Sequence, residues 1–331
     1  MKNILLIQTG GTISMGVSKN THELNRDVWS DVITREVPEL SEIANIDMKE
    51  LFFEDSSDIQ FRHWANLIRF IAGQYDSYDG FVILHGTDTM AYTASALSFG
   101  LRKLSKPVIL TGSQVPMSKL RSDARRNLVN AIEMATLPFH EVAICFNDYV
   151  YRGNRSTKMS IGDFDAFASP NFPPLAEIGL NIEFNIRRKP DNGPVETFTQ
   201  FDNRLFILKL FPGLNPKLLK SLDLDHCRVL ILEAFGSGNF PVKKSFSLVP
   251  LLEKCREDGV MVAVTSQAPY DSVDLTKYES GRKAIELGAI SAHDMTTEAT
   301  VTKLMYLLGK YDSIEMVKQL FRTPLAGEMT L

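Results

Sequence analysis

The chain has 331 residues, of which 44% are hydrophobic and 23% are charged, and its net charge is −4. These values are ordinary for a soluble globular protein, and the length suits two domains better than one. Acidic and basic residues are mixed throughout without a basic cluster, which argues against nucleic acid as a partner. No apolar run approaches the length of a membrane span, so we expect no membrane partner.

The three cysteines, Cys145, Cys227 and Cys255, are odd in number and too widely spaced for a disulfide framework. They form no Cys-x-x-Cys pair and no cluster with histidine, so we predict no metal site and expect reduced, buried thiols. The first apolar run begins almost at the N-terminus, and its four residues are too few for a signal-peptide core. We therefore expect the protein to stay in the cytoplasm.

The first predicted strand is the apolar run at residues 4–7, which leads through Gln8 into a glycine turn. A short continuous apolar run of this kind is typical of a buried parallel strand. The polar residues 17–26 that follow are predicted to form a loop. Because this loop follows a candidate active-site turn, it is either a lid over a site or a plain surface loop.

Helical and strand patterns then alternate along the first half of the chain. A helix is predicted at about residues 61–74, because Trp64, Leu67, Ile68 and Ile71 share one face. The next predicted elements are a strand at 81–84, a helix at 91–104, a strand at 108–111, a helix at 122–135 and a strand at 142–146. This alternation indicates βαβ units and a parallel sheet.

The strongest break in the chain is the polar, turn-rich segment at residues 187–194. We predict an N-terminal catalytic α/β domain at 1–187, a linker at 188–204 and a C-terminal α/β domain at 205–331. The second half repeats the alternation, with strands at 205–208, 229–232 and 260–264 and a closing helix at 297–308. The predicted fold is a larger, doubly wound, mainly parallel sheet followed by a smaller Rossmann- or flavodoxin-like domain.

Two of these strands end at a glycine turn that carries a threonine. The first leads into Gly10-Gly11-Thr12, and the strand at 81–84 leads into Gly86-Thr87-Asp88. In an open parallel sheet the ligand crevice lies outside the carboxyl ends of the strands, so these groups are expected to converge. The glycine spacing does not match a nucleotide-binding loop. Each threonine alone is equally well explained as a cap, but two such turns with an acid beside one hydroxyl favour catalysis.

These two turns resemble the signature segments of the bacterial-type L-asparaginase family. Further segments similar to those of the family follow in the same order and cover essentially the whole chain, and the Asp-Ser-Ser-Asp form of one resembles the type I, cytoplasmic branch. The matching segments are residues 9–13, 55–58, 85–90, 110–114, 120–123, 151–158, 164–171 and 292–300.

The resemblance implies an enzyme that hydrolyses L-asparagine to L-aspartate and ammonia through a β-aspartyl ester, without a cofactor. Such covalent catalysis needs a nucleophile, a group that takes its proton and donors for the oxyanion. The nucleophile of the family matches Thr12, and a facing Thr-Asp-Lys group matches Thr87, Asp88 and Lys158. The substrate-binding positions of the family match Asp55, Ser56, Ser57, Thr87, Asp88 and Asn239.

Two of these segments also have a plain structural explanation. Residues 55–58 form a good cap and turn before the helix predicted at 61, and this does not conflict with substrate binding. Asn239 lies in residues 235–240, which resemble the family loop that reaches the site of a neighbouring subunit, or form an ordinary glycine turn. The first interpretation implies a homodimer or homotetramer.

The chain departs from the family pattern in two places. Many relatives carry a tyrosine in the lid after the nucleophile, whereas this chain has none between Thr12 and Tyr75. The role of that tyrosine, a hydrogen bond to the nucleophilic threonine, is vacant in this chain, unnecessary or taken by another lid residue such as His22. Some type I enzymes bind an activating asparagine through an arginine and a cysteine, and the matching positions hold Glu233 and Ala268. An acid there repels a ligand carboxylate, so we predict that this activating site is absent.

Three other functions remain open at this stage. The chain resembles the asparaginase-like subunit of an archaeal tRNA-dependent amidotransferase, although that subunit carries an additional N-terminal domain. A lysophospholipase or glutaminase on the same scaffold is a second alternative. The third is an amino-acid-binding sensor that kept the pocket and lost turnover. The complete set of Thr12, Thr87, Asp88 and Lys158 favours the enzyme.

Overall fold

The structure is a computed structural model that describes residues 1–14, 29–190, 193–219 and 224–331. The loop predicted at residues 17–26 lies outside the described residues, so neither of its two interpretations is addressed. The chain forms two compact units, Met1–Thr199 and Gln200–Leu331. The division between them falls within the segment 188–204 for which a linker is predicted.

The strands of the first unit are β1 (Asn3–Gly10), β2 (Asn45–Glu54), β3 (Gly80–Leu84), β4 (Leu101–Arg102), β5 (Val108–Thr111), β6 (Val142–Phe146), β7 (Tyr149–Arg152), β8 (Thr157–Lys158), β9 (Phe167–Ala168), β10 (Ala176–Ile178), β11 (Ile182–Phe184) and β12 (Glu196–Thr197). Its helices are α1 (Trp29–Glu36), α2 (Leu40–Ile43), α3 (Phe61–Gln74), α4 (Met90–Gly100) and α5 (Ala124–Thr136).

Eight strands of the first unit form one sheet in the order β11-β10-β7-β6-β5-β3-β1-β2. The pairs from β2 to β6 are parallel, whereas β7, β10 and β11 extend the sheet in antiparallel fashion. β1, β3, β5 and β6 are fully buried runs after the first residue of β1, as expected for strands covered on both faces. This arrangement confirms the predicted mainly parallel sheet.

Helices cover both faces of this sheet. Ile4 and Leu6 of β1 pack in one core with Ile33 of α1 and Leu128 of α5. Residues alternate across a strand, so Leu5 and its equivalents face the other side, where α4 packs on β5 and β6. The doubly wound class predicted from the sequence is therefore correct.

Two predicted helices differ from the structure, and one strand was not predicted. The helix predicted at 91–104 ends at Gly100, because Gly100 packs against Ile68 and the chain then extends as β4 to pair with β12. The helix predicted to close the chain is followed by another helix, at 314–321. The long edge strand β2 was not predicted, because it lacks a continuous apolar run, although residues 45–49 alternate between exposed and half-buried positions.

The strands of the second unit are β13 (Leu205–Lys209), β14 (Val229–Ala234), β15 (Met261–Ser266) and β16 (Ile290–Ser291), and its helices are α6 (Pro216–Leu219), α7 (Val249–Glu257), α8 (Glu279–Glu286), α9 (Thr297–Lys310) and α10 (Ile314–Phe321). The strands form a parallel sheet in sequential order. This agrees with the predicted smaller α/β domain.

A completely buried ion pair fixes the end of the second unit. The Lys303 Nζ atom lies 2.6 Å from a carboxylate oxygen of Glu328, and both side chains are 0% exposed. Lys303 also donates to the carbonyl oxygens of Phe321 and Thr323, and Glu328 accepts from the backbone N–H of Leu325. Desolvation lowers the pKa of Lys303. These buried contacts therefore fix the C-terminal turn of the chain to the interior of the second unit.

No helix among the described residues is long and apolar enough to cross a membrane. All three thiols are free, with Cys145 and Cys255 buried and Cys227 half-buried. Burial raises the pKa of Cys255 to about 12, so this thiol is unreactive at neutral pH.

Candidate active site

Three of the predicted site residues, and one residue to which the sequence assigned no role, follow four neighbouring parallel strands of the first unit. In the order β5-β3-β1-β2, these strands end just before Gln114, Thr87, Thr12 and Asp55 respectively. Because the strands are parallel, their carboxyl ends lie at one edge of the sheet. The chain proceeds from β1 to β2 on one side and on to β3 on the other, so a topological switch point lies between β1 and β3, where open α/β sheets bind ligands.

Close backbone contacts bring three of these turns together. Gly11 has φ +90°, and a Cβ atom there would lie 2.5 Å from the backbone nitrogen of Gly86. A Cβ atom at Gly86 would in turn lie 2.6 Å from Cβ of Ser56. Only glycine fits both contacts, because real Cβ atoms do not approach other atoms so closely. The turns that carry Thr12, Thr87 and Ser56 are therefore in direct contact.

Thr87, Asp88 and Lys158 form one hydrogen-bonded group. Lys158 Nζ donates to Thr87 Oγ1 at 2.7 Å and to Asp88 Oδ1 at 2.6 Å. The Lys158 side chain is 15% exposed and the Asp88 side chain 65% exposed. The ammonium therefore lies on the protein side of the group, and the carboxylate lies at its open side.

Lys158 reaches this position because it lies on a short strand rather than in a loop. It belongs to β8, which pairs with β9 in an antiparallel hairpin with Lys158 opposite Phe167. Phe167 is buried and packs against Phe146 at the end of β6, with ring centroids 5.0 Å apart. The hairpin is thus fixed to the main sheet by an aromatic contact.

The Asp-Ser-Ser-Asp segment forms a capped turn at the end of β2. Asp55 Oδ1 accepts from the backbone N–H and the hydroxyl of Ser57, at 2.8 and 2.7 Å, and these bonds lower the pKa of Asp55. Ser56 is buried, and its carbonyl oxygen accepts from Thr89 Oγ1 at 2.7 Å. The structural interpretation of this segment is therefore correct as far as the turn is concerned.

The cap of the following helix is a different one from that predicted. α3 begins at Phe61, and a reciprocal capping box of Gln60 and His63 closes its first turn. The backbone N–H of Gln60 donates to His63 Nδ1 at 2.8 Å. Residues 55–58 cap their own short turn and not α3.

A buried histidine holds the backbone before Thr87. His85 Nδ1 lies 2.7 Å from the carbonyl oxygen of Gly86, and Nε2 lies 2.9 Å from Thr93 Oγ1. A carbonyl oxygen only accepts, so Nδ1 carries the proton and Nε2 accepts from Thr93. Thr93 accepts in turn from Trp64 Nε1 at 3.0 Å. Burial lowers the pKa of His85 to about 4, so the ring is neutral at physiological pH.

Gln114 is a member of this constellation to which the sequence pattern assigned no role. Its Oε1 atom lies 3.2 Å from Thr87 Oγ1. The available signal was its position, because it follows β5 in the same way that Thr87 follows β3.

Besides the residues of the Asp55 turn, Thr12 and Asn239 are also not joined to the Thr87–Asp88–Lys158 group by a hydrogen bond. Thr12 is half-buried and begins the short 3-10 turn Thr12–Ser14. Asn239 belongs to the second unit, where its Oδ1 atom accepts from Ser280 Oγ at 3.0 Å. Among the described residues, no group of three or more His, Cys, Asp or Glu side chains is placed to hold a metal ion.

Comparison with known proteins agrees with this geometry. Residues 3–191 match the family model "Asparaginase, N-terminal", and residues 204–321 match "Glutaminase/Asparaginase C-terminal domain". L-asparaginase 1 of Escherichia coli is 38% identical over 99% of this chain and 98% of its own length. The L-asparaginase of Thermococcus kodakarensis is 37% identical over 99% of this chain and 99% of its own length.

Solved structures show the same relationship. The structure of L-asparaginase I from Vibrio cholerae matches with a TM-score of 0.90 at 38% identity, covering 100% of this chain and 99% of that one. The thermostable L-asparaginase from Thermococcus kodakarensis also matches with a TM-score of 0.90, at 34% identity, covering 99% of each chain. The chain therefore belongs to the bacterial-type L-asparaginase family, in its type I branch.

Proposed function

We propose that this protein is an L-asparagine amidohydrolase that releases L-aspartate and ammonia. The observation that carries the proposal is the contact of Lys158 with both Thr87 and Asp88 at the switch point of the sheet, beside the turn that bears Thr12. Relatives and solved structures of matching length bear the name L-asparaginase.

The proposed reaction has two halves. Thr12 Oγ1 attacks the side-chain amide carbon of asparagine, and the Thr12 hydroxyl loses its proton as the new bond forms. Backbone N–H groups of the glycine turns hold the oxyanion that results. The C–N bond then breaks, the nitrogen gains a proton, and ammonia leaves a β-aspartyl ester on Thr12. Water adds to the ester carbon, the bond to Thr12 Oγ1 breaks, and aspartate is released with the threonine hydroxyl restored.

We assign the substrate's charged groups to the open side of the site. The exposed Asp88 carboxylate accepts from the α-ammonium, while Ser57 and nearby N–H groups donate to the α-carboxylate. Asp55 and Ser56 belong to the same turn and complete the substrate-binding set. In the free protein the Ser57 hydroxyl donates to Asp55, so its donation to a substrate requires exchange of that bond. Rejecting one additional methylene supplies only about 1–3 kcal/mol, so we expect some glutaminase activity as well.

We further propose that the enzyme is a homodimer or homotetramer, with Asn239 contributing to the site of a neighbouring subunit. The loop after Lys158 exposes apolar side chains, with Met159 50% and Ile161 90% exposed. Exposed apolar side chains next to a functional site are typical of a surface that another chain covers. A cytoplasmic location is the matching proposal, since one similar solved structure is titled a probable cytoplasmic L-asparaginase, from Campylobacter jejuni.

The test is ammonia and aspartate release from L-asparagine by wild-type protein, Thr12→Ala and the control Thr34→Ala. Thr34 is an exposed threonine of α1 whose hydroxyl donates to its own helix, so its variant should retain activity. We expect equal amounts of both products from wild type and none from Thr12→Ala. Added hydroxylamine should yield aspartyl hydroxamate if an ester forms.

The opposite result is equally clear. No ammonia from wild-type protein, together with a melting temperature raised by asparagine, would identify an amino-acid-binding sensor instead. Equal turnover in wild type and Thr12→Ala would show that the nucleophile lies elsewhere.

A further inference from the structure

The side-chain amide of Gln114 bridges Thr87 and the loop that follows Lys158. On one side, Oε1 lies 3.2 Å from Thr87 Oγ1. On the other side, Nε2 lies 3.2 Å from the carbonyl oxygens of both Ser160 and Asp163. The half-buried Gln114 therefore makes hydrogen bonds at both ends of its amide group.

These contacts determine which end of the amide is which. Two carbonyl oxygens only accept, so the group that faces Ser160 and Asp163 must be the NH₂ donor. Consequently the carbonyl oxygen of Gln114 faces Thr87, and the Thr87 hydroxyl must donate to it. A lysine ammonium only donates, so the same hydroxyl accepts from Lys158.

The hydroxyl of Thr87 therefore has a defined polarity. It has one proton and two lone pairs. The proton is directed at Gln114 and one lone pair at Lys158, which leaves a single lone pair free. Thr87 can then act towards any further group only as an acceptor.

The backbone of Gln114 is fixed independently of its side chain. The carboxylate of Asp123, which is 5% exposed, accepts from the backbone N–H of Gln114 at 3.0 Å and from that of Val115 at 3.0 Å. Asn127 Nδ2 donates to the same carboxylate and to the carbonyl oxygen of Gly112. The turn after β5 is thereby attached to the first turn of α5.

We propose that Gln114 is a positioning residue that sets the direction of the Thr87 hydroxyl in the proposed hydrolysis of asparagine, on which this inference rests. In this orientation, the free lone pair of the Thr87 hydroxyl accepts a hydrogen bond from a donor in the site. The departing ammonia and the attacking water are both such donors. Both ends of the Gln114 amide are engaged by protein groups, so we expect its loss to act on turnover more than on substrate binding.

The test compares kcat and KM for L-asparagine in wild type, Gln114→Met and Gln267→Met. Methionine keeps the length of the side chain and removes both ends of the amide. Gln267 is a matched control, because it is a half-buried glutamine that follows β15 and donates to the carbonyl oxygens of Leu210 and Glu233 in the second unit. We expect kcat of Gln114→Met to fall at least about tenfold while KM stays within about threefold, with Gln267→Met near wild type in both.

Gln114→Asn serves as a second variant, in case the methionine variant does not fold. It keeps an amide that is one methylene too short to reach both Thr87 and the loop, and it should show the same loss of kcat. An unchanged kcat in a folded variant, or a loss expressed in KM instead, would refute the role of Gln114. A wild-type protein that releases no ammonia would refute the proposed function itself, so the two failures are distinguishable.

Discussion

Gly86 and Ser56 are in backbone-to-side-chain contact that leaves no room for a methyl group. A Cβ atom at position 86 would lie 2.6 Å from Cβ and 2.7 Å from Oγ of Ser56. The φ angle of Gly86 is not in the left-handed region, so the constraint is steric and not conformational. This contact couples the turn after β3 to the turn after β2.

Gly86→Ala should therefore destabilise the first unit by about 1–3 kcal/mol and raise KM for asparagine, because the turns after β2 and β3 must separate. The control is Gly73→Ala in α3, where a Cβ atom meets nothing within 4 Å. It should stabilise the helix by about 0.5–1 kcal/mol. Urea unfolding followed by tryptophan fluorescence suits both, since Trp29 and Trp64 lie in the first unit. Equal stability of the two variants would contradict the contact.

Lys158→Met should lower kcat by about 10²–10⁴-fold, the usual contribution of a positioned acid or base. The variant removes the ammonium that joins Thr87 and Asp88 while keeping the apolar stem of the side chain. Lys49→Met is the control, because Lys49 is an exposed lysine on the outer strand β2 whose ammonium donates a hydrogen bond to Gln74. Steady-state ammonia release measures both. A Lys158→Met enzyme that keeps more than a tenth of wild-type kcat would exclude a role in the chemistry.

The first unit should lose stability in acid because of His85. Its pKa is about 4 in the folded protein, against an ordinary 6.5. Between pH 6.5 and 4, this histidine is protonated in the unfolded chain but stays neutral in the folded protein. The free energy of unfolding therefore falls as the pH drops towards 4, by up to about 3 kcal/mol. Urea midpoints between pH 7.5 and 4.5 test this. His85→Gln should show a shallower decline relative to its own value at pH 7.5, and an identical decline would assign the effect to other groups.

Lys303→Met should destabilise the second unit by about 3–5 kcal/mol, because it leaves the Glu328 carboxylate buried and unpaired. The double variant Lys303→Met/Glu328→Gln should be less destabilised than Lys303→Met alone, since no unpaired charge remains. Lys283→Met removes an exposed pair with Glu286 and should cost under about 1 kcal/mol. Differential scanning calorimetry, which follows both units, measures all three. Equal effects of the two lysine variants would show that burial of the pair has no consequence.

Saturation by asparagine should be hyperbolic, because the activating site of some relatives is predicted to be absent. From the resemblance, we assign Glu233 to the position of the arginine in those relatives, and its carboxylate lies 2.9 Å from Lys209 Nζ. An acid already paired with a lysine does not attract a second carboxylate. We expect a Hill coefficient near one in wild type and in Glu233→Ala. A sigmoidal saturation curve whose shape changes in Glu233→Ala would show that an activating site is present and that the prediction is wrong.

The elements with the strongest hydrophobic pattern were predictable from the sequence. The buried runs of β1, β3, β5 and β6 and the apolar face of α3 appear close to the predicted positions. β2 carries no such buried run, because at the sheet edge only Phe53 is buried and residues 45–49 merely alternate between exposed and half-buried positions. Similarly, the end of α4 depends on packing of Gly100 against Ile68, which is distant in sequence.

The site residues also divide into those that were predictable from the sequence and those that were not. The turns after β1 and β3 were recognisable, since glycine and threonine directly follow apolar runs. The position of Lys158 was not, because a lysine near a turn is usually solvated, and only its resemblance to the family distinguished it. Gln114 received no role, because its partners Thr87, Ser160 and Asp163 are brought together by tertiary structure.

The central position of β1 has a consequence for how the protein is made. β1 is synthesised before both of its neighbours in the sheet, since β2 and β3 follow about 35 and 70 residues later. A nascent chain therefore carries an apolar strand with two unpaired edges until both partners have emerged, and such edges favour aggregation. Lys158 comes later still in the chain, so the active site forms only after β1, β2 and β3 have paired, and recovered activity should lag behind the return of helical signal during refolding.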